Sequence, residues 1–149
     1  MIVLFVLLIS LLLYRAIGAL GVAALASWTV ATRYALATML VFTASAHFTR
    51  MKHDLARMMP DWIPRPMALI YFTGVCEIAG AIGLVLPYLR QTAGIALIVF
   101  FILVFPANVK AARTGVAVGA KRATPLWLRA SMQVLFIALT WWSALWNAG

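Results

Sequence analysis

Residues 66–87 read PMALIYFTGVCEIAGAIGLVLP, two prolines around a run whose only charged residue is Glu77. At a rise of ~1.5 Å per residue such a helix covers about 30 Å, the hydrocarbon thickness of a bilayer. Pro66 suits the first turn, where its missing N–H would be unpaired anyway. The run predicts a membrane span over 67–86. Glu77 then lies ~16 Å deep, near the midplane, where an ionised carboxylate is costly and an acid is protonated, paired or functional. No Lys or Arg shares its depth, so Glu77 is expected to be neutral and to donate a hydrogen bond.

The whole chain supports a membrane reading. It has 149 residues, 66% hydrophobic and 10% charged, against ~45–50% and ~25% in soluble domains. Further apolar segments cover 2–13 with a weaker run over 16–28, then 34–48, 93–112 and 125–146. The expected fold is an all-α membrane protein. Residues 33–146 form a four-helix transmembrane bundle in a single domain over 1–149, with an additional N-terminal helix over 1–28. Arg15 interrupts the first segment, which is either one tilted span or a short span followed by an interfacial helix. Ala24-Leu25-Ala26 resembles a signal cleavage site, but no basic residue precedes the apolar run, which favours retention.

Charge sets the expected orientation. Arg50, Lys52, Arg57, Arg65, Lys110, Arg113, Lys121, Arg122 and Arg129 fall on one side, against Arg15, Arg33 and Arg90 on the other. That bias places the N-terminus inside and the C-terminus outside. Trp62 and Trp127 mark the inner boundary, while Trp28, Trp141, Trp142 and Trp146 mark the outer one. Because the basic residues sit in short loops, the net charge of +9 points to anionic lipid head groups, not nucleic acid. Arg50, Lys52, Arg57, Arg65, Lys110, Arg113, Lys121 and Arg122 form the expected lipid-facing basic surface. A bacterial cytoplasmic membrane is the expected location.

The interval SAHFTRMKHDLARMMPDWIPRP, 45–66, is the longest polar stretch. Met51, Leu55, Met58, Met59 and Trp62 recur at helical spacing and predict an amphipathic surface helix over 49–63, ended by Pro60, Pro64 and Pro66. His47 and His53 are six apart, off the i, i+4 spacing of paired ligands, and no metal site is assigned. The lone Cys76 allows no disulfide or dithiol chemistry within the chain.

Depth and periodicity predict a polar column. Thr73, Glu77 and Gly80 share one face of their helix, as do Thr43 and His47 of the preceding one. Asn108 and Gln133 enter from the last two spans, and Pro106 frees the carbonyl of Ile102 as an acceptor. The column is His47, Tyr71, Thr73, Glu77, Asn108 and Gln133, with the helix kinked at Pro106. It reads either as interhelical hydrogen-bond glue or as a pocket for a lipid-soluble ligand, such as a quinone or a bound lipid, or a proton path. No intrinsic cofactor and no catalytic residue is assigned. A transporter would show an inverted repeat, and none is detectable.

SAHF at 45–48, MMPDWIPRP at 58–66, TGVCEIAGAIGLVLP at 73–87, AG at 93–94 and FPANVKAA at 105–112 resemble the DoxX-type membrane proteins, over residues 33–145. The resemblance implies a four-helix membrane bundle, sometimes with an added N-terminal helix, and its pattern matches His47, Thr73, Glu77, Pro106 and Asn108. The founding member is associated with a thiosulfate:quinone oxidoreductase. The bundle also resembles vitamin K epoxide reductases, whose cysteine pairs are missing here. A non-catalytic accessory or stabilising subunit of a larger redox-associated membrane complex, or a homo-oligomer, is the expectation. The alternative is a quinone-linked oxidoreductase subunit using Glu77 and His47.

Overall fold

A computed structural model describes residues 2–116 and 124–146, and every regular element among them is helical. Helix α1 spans Ile2–Ala19, followed by a 3-10 turn Ala23–Leu25; α2 spans Trp28–Phe48, α3 Lys52–Met58, α4 Pro66–Val85, α5 Arg90–Thr114 and α6 Leu126–Trp141, which continues as a π turn Trp142–Trp146. Four helices are long and apolar enough to cross a membrane: α1, α4, α5, and α6 together with its π turn. The chain is an integral membrane protein.

Local chemistry explains most boundaries. Pro66 starts α4 at its first position, and Leu86 is extended because the proline after it disfavours the helical region. Gly115 takes a left-handed conformation, φ 72°, and closes α5. The N-terminal helix ends at Ala19, earlier than the 1–28 expected. Gly21, at φ 112°, turns the chain. Gly18 then lets the returning 3-10 turn pass so closely that a Cβ there would lie 2.3 Å from the Leu25 carbonyl oxygen.

Helix α2 begins at Trp28 and not near residue 34, so Arg33 lies inside a helix and not in a loop. Polar residues are tolerated there because α2 is the central helix. Ala31, Thr32, Ala35, Leu36, Met39, Leu40, Ala44 and His47 are all buried, against α1, α4 and the π turn. A helix shielded by protein need not be as apolar as one facing lipid. The core groups Leu36 and Leu40 with Leu7 of α1, Leu84 of α4, Leu97 and Phe101 of α5, and Phe136 of α6.

The amphipathic helix is also shorter than expected, Lys52–Met58 and not 49–63. Met59 leaves the helix at ψ 141° because Pro60 follows it. Of the expected apolar stripe, Met58 is buried and Leu55 and Met59 half-buried, but Met51 and Trp62, outside the helix, are exposed, as are His53 and Arg57.

Candidate functional site

Two i, i+4 pairs face each other across the antiparallel α2–α4 seam. Thr43 and His47 stand on one helix, Thr73 and Glu77 on the other, and the register sets Thr43 opposite Glu77 and His47 opposite Thr73. The Thr43 hydroxyl donates to Glu77 Oε2 at 2.7 Å, and His47 Nε2 lies 3.4 Å from Glu77 Oε1. His47 Nδ1 lies 2.7 Å from the Ile70 carbonyl oxygen and 3.2 Å from Thr73 Oγ1. Since a carbonyl only accepts, Nδ1 carries a proton and donates it there.

That leaves one proton to place between His47 Nε2 and Glu77 Oε1. A protonated Glu77 donating to neutral imidazole and a carboxylate accepting from imidazolium both satisfy the pair. His47 and Glu77 are each 8% exposed, so the proton is shielded in either arrangement. Gly74 makes the seam possible: a Cβ there would lie 2.7 Å from the His47 Cβ. Glycine at 74 therefore brings the α4 backbone up to the imidazole.

The other members of the predicted column lie elsewhere. Tyr71 is exposed; its hydroxyl accepts from Lys52 Nζ at 2.6 Å, and its ring stands 6.0 Å from that of Phe48. Asn108 Oδ1 accepts from Arg129 Nη1 at 3.1 Å, and Arg129 Nε also donates to the Thr124 carbonyl. Gln133 donates to the Phe101 carbonyl. The expected single column is therefore two groups, His47, Thr43, Thr73 and Glu77 between α2 and α4, and Asn108, Arg129 and Gln133 between α5 and α6. Depth along a span is the same for both groups; the helix face is not.

Glu77 is thus bonded by Thr43 and His47, not by Gln133 or the Ile102 carbonyl as expected. Pro106 stands inside an unbroken α5. It and Ile102, 57% exposed, lie on the outer side of that helix, which turns the freed carbonyl away from the seam. Arg129 was not singled out as a site residue; its signal was a lone cation four residues into an otherwise apolar segment.

The basic surface also divides. Arg50, Arg65 and Arg113 are exposed, and Arg57 is exposed while paired with Asp54. Lys110 is half-buried and engaged within the protein: it donates to the Met59 carbonyl at 2.8 Å and pairs with Asp61, clamping α5 to the chain after α3. Lys121 and Arg122 lie outside the described residues.

Two grooves open on the apolar surface. One, about 420 Å³, runs between α4 and α5 past Phe72, Cys76, Gly80, Leu97 and Phe100. The other, about 440 Å³, lies among α1, α2 and α4, beside Tyr14, Tyr34, Thr38, Val85 and Leu86. Neither is lined by His47 or Glu77. Among the described residues, no three His, Cys, Asp or Glu side chains gather as a metal-ligand set.

A family model described as a domain of unknown function, DUF8561, matches residues 36–144. The chain belongs to the DUF8561 family. The matched region runs from within α2 to the π turn, so the DUF8561 domain contains the Thr43–His47–Thr73–Glu77 cluster and both α5–α6 contacts, and α1 stands outside it. No curated protein and no solved structure matches the chain.

Proposed function

We propose that this DUF8561 protein is a DoxX-like accessory subunit, non-catalytic by itself, that stabilises a larger redox-associated complex in a bacterial cytoplasmic membrane. One observation carries the reading: the buried polar cluster is closed on itself. Glu77 is engaged by Thr43 and His47, and His47 in turn by the Ile70 carbonyl and Thr73, and neither of the two grooves described above is lined by His47 or Glu77. A group poised for chemistry would present an unfilled valence to a cavity. This one ties two helices together, as interhelical polar contacts in membranes commonly do.

The alternative, a quinone head group between His47 and Glu77, needs room where the facing atoms are 3.4 Å apart. The exposed apolar faces of α1, α4 and α5, with Phe5, Leu12, Phe72, Ile82 and Leu103 all more than half exposed, supply surface for lipid and for a membrane partner. In this reading α2 is a fifth span, its 21 residues long enough at about 1.5 Å each. The N-terminus then lies inside and the C-terminus outside, with α3 and the cations around it on the cytoplasmic surface.

Purification in a mild detergent followed by mass spectrometry of co-purifying proteins and lipids tests the proposal. Stoichiometric co-purification with a larger membrane complex, unchanged in Glu77→Gln, is expected. A stable lone oligomer carrying bound quinone that Glu77→Gln releases would overturn it.

A further inference from the structure

The end of the bundle opposite α3 holds three arginines, from α1, α2 and α5, that differ in how they are satisfied. Arg15 donates to the carbonyls of Leu25 and Ala26 and stacks on Trp28, its guanidinium carbon 4.6 Å from the ring centre. Arg33 and Arg90 have no such partners among the described residues. The Nε of all three arginines is buried without a hydrogen bond, but only Arg15 has acceptors for the rest of its guanidinium, and the Arg33 and Arg90 guanidiniums lie close enough to repel each other.

Among the described residues, no carboxylate is left to neutralise them. The chain has three acidic residues: Glu77 is held by Thr43 and His47, Asp54 is paired with Arg57 and Asp61 with Lys110. The same end carries another unsatisfied group. The π turn packs on both α2 and α5, so tightly that a Cβ on Gly94 would lie 2.8 Å from the Ala144 Cβ. The neighbouring Ser143, 3% exposed, has an unpartnered buried hydroxyl.

Two like charges and a hydroxyl, partly withdrawn from water with no counter-group among the described residues, are unfavourable unless a ligand completes them. We propose that Arg33 and Arg90 bind the phosphodiester of a glycerophospholipid, with Ser143 as a further donor at the same end. A phosphodiester offers the paired anionic oxygens that a guanidinium fork fits. The groove among α1, α2 and α4 favours a lipid over a free ion. Its rim includes Tyr34, next to Arg33, and Leu86, where α4 turns toward Arg90, so an acyl chain lies there while its phosphate reaches the arginines.

Native mass spectrometry of the full chain in a non-ionic detergent, titrated with dioleoyl phosphatidylglycerol, tests this. The wild type retains one tightly held lipid. Arg33→Gln with Arg90→Gln weakens that binding about tenfold or more, and Arg90→Gln alone, at the exposed start of α5, weakens it about threefold to tenfold. His53→Gln, at an exposed position of α3 at the opposite end, leaves it unchanged. If the double variant does not fold, the Arg90→Gln result decides. Retention as tight as wild type in the Arg90→Gln protein overturns the proposal, as does displacement of the lipid by an equal concentration of inorganic phosphate, which would make the site one for a free ion.

Discussion

The α2–α4 seam holds one connected cluster of polar side chains, whereas the α5–α6 seam holds separate, half-buried contacts. Between α2 and α4, four side chains meet: Thr43 and His47 on Glu77, Thr73 beside His47. Between α5 and α6, Gln133 meets the Phe101 carbonyl, and apart from it Arg129 pairs with the Asn108 side chain while donating to the Thr124 carbonyl just before its own helix. A cluster of mutually dependent side chains fails as a unit, because removing one leaves others unpaired in an apolar setting. A side chain on a backbone carbonyl leaves only that carbonyl behind when it is removed.

Substitutions ordered by expected effect test that contrast. Glu77→Leu orphans His47 Nε2 and leaves the Thr43 hydroxyl only the Leu40 carbonyl, and should lower stability the most, by about 3 kcal/mol, the upper end for an orphaned buried polar group. Thermal unfolding in detergent reads this as the largest fall in Tm. Gly74→Ala forces a methyl group against His47, 2.7 Å from its Cβ, and should cost about 2 kcal/mol by overpacking, measured in the same assay.

Gln133→Leu should cost about 1 kcal/mol, since it removes one side-chain-to-backbone bond. Equal losses for Glu77→Leu and Gln133→Leu would break the contrast between the seams. Asp61→Asn comes last. Asp61 is 93% exposed in its side chain, so its pairing with Lys110 is screened and should change stability by less than about 0.5 kcal/mol. A loss comparable to that of Gln133→Leu would show that the Lys110 clamp, not the helix seams, fixes α3 against the bundle.

The membrane fold was legible because apolar runs of bilayer length are a strong signal, and the face shared by Thr73 and Glu77 was legible because helical periodicity sets it. Two things were not. Arg33 read as a loop residue because apolarity alone marks helix ends, and only the packing shows that α2 is shielded enough to carry it. The partner of Glu77 was misplaced because depth along a span says nothing about which way a side chain points around the helix. Gln133 has the right depth and faces α5. The Lys110 clamp was hidden for a related reason, since a cation near a helix end reads as lipid-facing until the chain carrying Met59 and Asp61 is placed beside it.

The central claim is that the His47–Glu77 cluster holds the bundle together and does not carry out chemistry. Glu77→Gln tests it most directly, because an amide keeps an acceptor for Thr43 and a donor for His47 but cannot relay a proton. The account predicts that in mild detergent the Glu77→Gln protein unfolds within a few degrees of wild type while Glu77→Leu does not, and that Glu77→Gln keeps the same co-purifying partners and the activity of the complex. A Glu77→Gln protein with wild-type Tm and partners but an inactive complex would contradict it.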